Sequence, residues 1–222
     1  MTASAVEPCI VALFAKAPQA GSVKTRLIPT LGAQGAAALH ANLVVQALAV
    51  ARAADVGRVE LWCTPGPRDF FERLAVEHGV ELRTQSPGDL GQRMCEAVRD
   101  TLSHACAAIV IGSDCPARTP QDIREAARAL TQSVEVVLGP VEDGGYHLIG
   151  MRTLQTQLFE RIDWGSDRVL QQTRRRLRAL GLRCEELPVR WDVDRPDDVG
   201  RLLADPALRA LAADLRASAA AP

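Results

Sequence analysis

The sequence is defined first by what it lacks. No uninterrupted apolar run reaches about 18 residues, the length that marks a membrane-crossing helix, so no membrane span is expected. Met1 to Pro8 has no basic start, and the apolar stretch after it is short and strand-like, so no secretory signal is expected either. Charge of one sign is not in excess: 26 Lys and Arg stand against 27 Asp and Glu, a formal net charge of −1. Without a broad basic field, a nucleic-acid partner is not indicated. The six cysteines (Cys9, Cys63, Cys95, Cys106, Cys115, Cys184) form no C-x-x-C pair, which argues against a zinc site or a disulfide frame and for reduced thiols in a cytoplasmic protein. Three catalytic signatures are also missing: the Walker A loop, the G-x-G-x-x-G turn and the G-x-S-x-G elbow.

What is present is ordinary globular composition, 47% apolar and 24% charged over 222 residues, enough for one α/β domain with a substantial core. Cys9 to Ala15 reads as a strand buried on both faces, and Ala107 to Ile111 as a central strand. Val59 to Cys63, Val80 to Arg83, Val134 to Leu138, Tyr146 to Gly150 and Leu182 to Leu187 read as further strands. Helices are expected over about Gly32 to Ala54, Asp69 to Glu77, Asp89 to Ser103, a stretch opening near Pro120, and Ser166 to Leu180. Strands alternating with helices predict a single α/β domain over residues 1–222, a three-layer Rossmann-like, mostly parallel sheet with a helical C-terminal tail over 206–222.

In such sheets ligands bind beyond the carboxyl ends of the strands, and the unusual loops all begin there. The first, Lys16 to Arg26, carries three cations in eleven residues (Lys16, Lys24, Arg26), with Gly21 for close backbone approach and the Thr25 hydroxyl. Lysine offers a compact charge to a phosphate oxygen and arginine a planar fork, although a solvated basic loop has the same composition. In the second, Gly112-Ser-Asp-Cys-Pro116, Asp114 is placed either to bind a hard cation such as Mg2+ or Mn2+ or to cap the following turn. In the third, Glu142-Asp-Gly-Gly-Tyr146, Gly144 and Gly145 allow backbone contact with substrate. Asp143 there could take a hydroxyl or a metal-bound water, against the alternative of a plain hairpin turn. Asp192 and Asp194 alternate in Trp191-Asp-Val-Asp194, as if on one strand face, where paired carboxylates call for a cation; the same residues also suit a helix start. His40, His78 and His104 read as surface or packing residues, His147 as unsupported, and Arg174 to Arg176 as a solvated face.

The ordered set Lys16-x-Pro-x-x-Gly-x-x-Lys-Thr-Arg-Leu27, Gly112-Ser-Asp-x-Pro116, Gly139-Pro-x-x-Asp-Gly-Gly-Tyr146 and Asp192-Val-Asp-x-Pro196 resembles a glycosyltransferase-like uncharacterised-domain family of arsenosugar-biosynthesis type, within the nucleotide-diphospho-sugar transferase superfamily. Asp89-Leu-Gly-Gln-Arg-Met94 and Ile162-Asp-Trp-Gly-Ser166 match as well. The resemblance implies a glycosyltransferase-A-like fold with a divalent-metal site. It extends more distantly to phospholactate and molybdenum-cofactor guanylyltransferases. By that analogy Lys24 and Arg26 meet phosphates, Asp114 and Asp194, with Asp192 in reserve, hold Mg2+ or Mn2+, and Gln85 to Met94, including Asp89, Gly91 and Arg93, lies near the base and ribose. Gly144, Gly145 and Tyr146 would then face substrate. The implied activity is metal-dependent transfer from a nucleotide-sugar to a small-molecule acceptor. Nucleotidyl transfer from a triphosphate and non-catalytic nucleotide binding are the alternatives. One departure is plain: the Asp-x-Asp of many glycosyltransferases is Gly112-Ser-Asp114 here.

Overall fold

The computed structural model describes residues 8–212 except Ser133. The first strand, β1 (Ile10–Ala15), is buried along its whole length. It takes β2 (Arg58–Cys63) and β4 (Ala108–Gly112) as parallel neighbours, and β3 (Glu81–Thr84) pairs parallel with β2. Beyond β4 the sheet turns mixed: β6 (Tyr146–Met151) runs antiparallel to both β4 and β5 (Val136–Pro140), and β7 (Cys184–Glu186) lies parallel to β5. The order is β3-β2-β1-β4-β6-β5-β7. The reversal has a simple cause. Only residues 141–145 join β5 to β6, whereas a parallel crossover takes about a dozen residues or more, so the pair must close as a hairpin.

Helices cover both faces. One face carries α1 (Ile28–Ala54), α2 (Asp69–His78) and α4 (Pro120–Gln132), which pack Val44, Leu48, Phe71 and Ile123 onto Val11, Leu13, Leu61 and Ile109. The other face carries α3 (Leu90–Leu102) and α5 (Val169–Ala179), with Met94, Val98, Leu170 and Leu177 against Phe14, Val110 and Ile149. The last helix, α6 (Pro196–Ala204), joins Trp191 and Val193 in a third cluster on Leu39 and Leu43 of α1.

Three expectations change. The first helix begins at Ile28 and is kinked at Gly32 (φ 69°), rather than starting there. By length and composition the segment Thr25–Ala54 could cross a membrane, yet half of its most apolar window is buried in the core. Residues 191–194 do not form a strand, and the only helical turn described in the tail is a 3-10 turn, Arg209–Ala212; residues 213–222 lie outside the described set. All six cysteines are free, as read from their spacing.

Candidate active site

The loops after β1 and β4 and the segment before α6 meet in one pocket of about 520 Å³. Lys24 stands at its centre. Its backbone takes the left-handed conformation (φ 47°, ψ 41°), uncommon for a residue with a side chain, and turns the chain into the short helix ahead of α1. The side chain is only 3% exposed. Its ammonium donates to the Val193 carbonyl at 2.6 Å, lies 2.8 Å from Asp114 Oδ1 and stands 3.6 Å from Asp194 Oδ1. Arg26, largely exposed, places Nη1 2.6 Å from Asp194 Oδ2 and leaves much of its guanidinium open to the pocket. The cation loop is therefore knitted to the acids of two other segments.

Backbone contacts fix the acids. Val193 N–H donates to the Asp114 carbonyl at 2.9 Å, and the Val193 side chain is fully buried, so the flanking Asp192 and Asp194 reach the pocket without a strand ladder. The N–H groups of Asp194 and Arg195 both donate to Asp198 Oδ2, which caps α6. Burial would raise the Asp114 pKa, but the Lys24 charge and His40 outweigh it and hold it below its ordinary value. Asp192 is pushed up to about 7, first by burial and then by the Asp143 charge, with Asp114 adding to it against Lys24.

His40, read from sequence as packing, lines the same pocket. Its ring is buried on α1, Nε2 sits 3.0 Å from the Lys16 carbonyl oxygen, and Nδ1 lies 3.8 Å from Asp114 Oδ1 with no hydrogen-bond partner. Burial lowers its pKa against the pull of Asp114. Helical periodicity hid this residue, because its neighbours Leu39 and Leu43 face the core.

The opposite wall comes from the β3–α3 turn. Gln85 is buried; its amide donates to the Trp62 carbonyl at 2.8 Å, and its oxygen accepts from Arg93 Nη1 at 3.0 Å, which aims Arg93 along the pocket. A contiguous cavity of about 330 Å³ opens past Asp143 and Gly145 between Met94, Tyr146 and Trp164, whose rings meet edge to face. His147 lines both cavities, and Arg118 backs it. Arg118 donates to the carbonyls of Gly112 and His147, and burial with the nearby Arg118 charge drives the His147 pKa down to about 3.

The structure therefore brings Lys16, Lys24, Thr25, Arg26, Arg93, Asp114, Tyr146, Asp192 and Asp194 to the main pocket, and Asp143 and Gly145 to its extension. Four expected ligand contacts fall elsewhere. Asp89 caps α3, accepting from Gln92 N–H in a capping box. Gly91 packs against Phe159 and Trp164, Gly144 (φ 89°) against the Asp167 backbone, and Gly21 (φ 81°) makes a turn outside the pocket wall. The Lys24 ammonium bridges Asp114 and Asp194. The hairpin alternative for Asp143 is realised too: Oδ1 accepts from Gly145 N–H at 2.9 Å. Arg174 lies on a solvated face, as read, and pairs there bidentately with Glu186.

Among the described residues, one group has three donor atoms within 4.8 Å of one another: Glu60, Asp100 and His104, which line neither cavity. Glu60 is fully buried and already faces Arg58 and Arg83 at 3.3 and 3.7 Å, so positive charge occupies that position.

This architecture is the nucleotide-diphospho-sugar transferase fold, and the class to which it assigns the chain is that of transferases. The chain belongs to the family described as an uncharacterized protein conserved in bacteria (DUF2064), whose model matches residues 47–166. A Desulfovibrio desulfuricans G20 protein, provisionally named a nucleotide-diphospho-sugar transferase, superposes with a TM-score of 0.84 at 29% identity, over 96% of this chain and 95% of its own. The CMP:2-keto-3-deoxy-manno-octonic acid synthetase, complexed with CTP, shares the fold at a TM-score of 0.58 and 12% identity, over 91% and 98%. Glucosyl-3-phosphoglycerate synthase from Mycobacterium tuberculosis, holding Mn2+, UDP and glucosyl-3-phosphoglycerate, does so at 0.53 and 13%, over 96% and 78%. No curated protein matches the sequence.

Proposed function

We propose that the pocket binds the diphosphate of a nucleotide-activated substrate together with a divalent cation and transfers the activated group, most simply a sugar, to a small acceptor. The observation that carries this reading is the meeting of Lys24 and Arg26 with Asp114 and Asp194 at the carboxyl ends of β1 and β4, the place where an open α/β sheet binds ligands. Relatives of the same fold hold CTP or UDP, the latter with Mn2+.

The residues fit a divalent metal. Carboxylates of Asp114, Asp192 and Asp194 face one cavity, and a hard cation there shares its shell with phosphate oxygens, so few protein ligands suffice. When bound, the cation would stabilise negative charge on the departing diphosphate. Arg26 and Lys16 supply further charge to the phosphates, and the Lys24 ammonium bridges the acids and adds positive charge beside them. Gln85 steadies Arg93 against the nucleotide. The extension between Tyr146 and Trp164 takes the transferred group or acceptor, with Asp143 at its edge to accept the acceptor's proton.

A second reading, nucleotidyl transfer, is favoured by one observation: Lys16, Lys24 and Arg26 all border the phosphate side, more positive charge than a diphosphate requires. Phosphorus NMR, after removal of the metal with excess chelator, of reactions of the protein with Mn2+, a pool of small phosphorylated and hydroxylated acceptors, and either nucleotide-sugars or nucleoside triphosphates separates the two. Release of nucleoside diphosphate supports sugar transfer; release of pyrophosphate supports nucleotidyl transfer. Neither product from any donor would remove both.

A further inference from the structure

The extension past Asp143 differs from the main pocket in what it can offer a ligand. Of the residues that line it and not the main pocket, Met94, Val110, Ile149 and Val169 form a buried apolar wall, and Asp143 and Ser166 bring carboxylate and hydroxyl. Ser166 is already committed: its hydroxyl donates to the Asp163 carbonyl at 2.7 Å and accepts from Arg168 N–H at 3.3 Å. Tyr146 Oη and Trp164 Nε1 have no partner, but both atoms are closed off from solvent, so neither reaches a ligand in the cavity. Among the described residues Arg26 is the one cation on this lining, and its Nη1 is held by Asp194. Asp143 is different. Its Oδ1 accepts from Gly145 N–H, which fixes the carboxylate and leaves Oδ2 for a ligand.

We propose that the extension is the acceptor site, and that the acceptor is an uncharged alcohol with an apolar body rather than a phosphorylated or polyhydroxylated compound. The inference rests on the transfer reading above and names its acceptor class. A phosphate group on the acceptor would set its negative charge beside Asp143 with no free cation on that wall, and an unpaired charge removed from water is heavily penalised. Each extra hydroxyl of a polyol would give up its water without finding a partner. One hydroxyl is provided for. It donates to Asp143 Oδ2 while the rest of the molecule covers the apolar wall and packs on the Tyr146–Trp164 pair. In the transfer, the acceptor oxygen bonds to the sugar carbon that carries the diphosphate. The bond from that carbon to the diphosphate oxygen breaks, the diphosphate leaves with the electron pair, and the hydroxyl proton passes to Asp143. At about 330 Å³ the extension lies near the lower end of ligand cavities, so the alcohol is small.

The test is saturation-transfer NMR on the full-length protein, with Mg2+ and ADP, GDP, CDP or UDP in turn filling the phosphate side. Benzyl alcohol, benzyl phosphate and glycerol are titrated as probes. Benzyl alcohol should bind, with benzyl phosphate and glycerol each at least about ten-fold weaker, since one unit charge facing another at about 4 Å in water already costs roughly five-fold. Trp164→Leu, its fold checked by circular dichroism, should weaken benzyl alcohol at least about two-fold, the lower end of what an aromatic contact adds beyond area. Asp143→Asn keeps an oxygen for Gly145 N–H and removes the charge, so benzyl phosphate should gain about five-fold whatever becomes of the first variant. Benzyl phosphate or glycerol binding as tightly as benzyl alcohol overturns the acceptor class and leaves the transfer reading standing. A benzyl alcohol affinity unchanged in a folded Trp164→Leu places the probe outside the extension and overturns it as well. Nucleoside diphosphates that fail to bind, all four of them, overturn the transfer reading itself, and the acceptor role with it.

Discussion

The Lys24 ammonium lies 2.8 Å from Asp114 Oδ1, joining a residue of the first loop to one that follows the central strand. This contact closes the loop over the sheet edge and places positive charge where phosphate is expected. A lysine with φ 47° and a 3% exposed side chain is held there by its partners rather than by its own preference.

Lys24→Met keeps the length of the side chain and removes its charge. Losing a charge-assisted contact costs about 1.5–3 kcal/mol, so nucleotide affinity should fall roughly ten- to a hundred-fold. Calorimetry with Mn2+ and the best-binding nucleotide reads this directly, and Arg26→Ala should show a loss of the same kind.

Gly91→Ala tests the wall under Trp164. An added Cβ there would sit 2.5 Å from both the Phe159 carbonyl oxygen and Trp164 Nε1, one of them backbone that cannot swing aside. Overpacking of this kind costs about 1–3 kcal/mol. Denaturant unfolding should register that loss, and the Tyr146–Trp164 extension should lose affinity for whatever occupies it. A fully stable variant would mean that the wall yields freely.

Buried Asp122 and partly exposed Arg190 form a bidentate ion pair that is remote from phosphate chemistry, with Asp122 also accepting from Thr119 N–H at the start of α4. Asp122→Ala removes the partner of both Arg190 and the Thr119 N–H and should cost about 1.5–3 kcal/mol at neutral pH. The sign of the pH dependence follows from the lowered folded-state pKa of Asp122: burial opposes the shift, but the Arg190 and Thr119 hydrogen bonds outweigh it. Its contribution is full above the unfolded value of about 3.9 and is lost as pH falls through the folded one. The stability gap between native protein and Asp122→Asn should therefore be constant from pH 8 to 5 and close in stronger acid. A gap that widens on acidification would reverse the assignment.

Gln85→Leu removes the anchor of Arg93 without touching the cation loop. Nucleotide affinity should drop about ten-fold, with discrimination between bases reduced, as expected when one hydrogen bond to a charged group is lost. Equal losses for every nucleotide would make Gln85 a packing residue only.

Much of this arrangement could be read from sequence, and the exceptions have physical reasons. Buried strands announce themselves as apolar runs, so β1 and β4, and with them the loops that carry Lys24 and Asp114, were legible. Residues whose role depends on contacts distant in sequence were not. His40 meets Lys16 and Asp114 only after α1 folds back over the sheet, and its spacing matches the core positions beside it. Asp89 and Gly91 fell in a motif near the pocket, yet a capping box and a tight helix–loop contact claim them first. Asp192 and Asp194 alternate as a strand would, but a single hydrogen bond from Val193 to Asp114 achieves the same orientation without a strand.

The most direct test of the central claim is a melting-temperature screen of nucleotide-sugars and nucleoside triphosphates, each with and without Mn2+, on the native sequence and on Asp114→Asn. A ligand that binds only the folded state stabilises it by about 2.7 kcal/mol at a hundred-fold excess over its Kd, which is readily seen as a raised melting temperature. At least one nucleotide should stabilise the native protein strongly with Mn2+ and weakly without it, and Asp114→Asn should lose the metal-dependent part. No stabilisation by any nucleotide, or the same metal-dependent stabilisation in Asp114→Asn, would contradict the account.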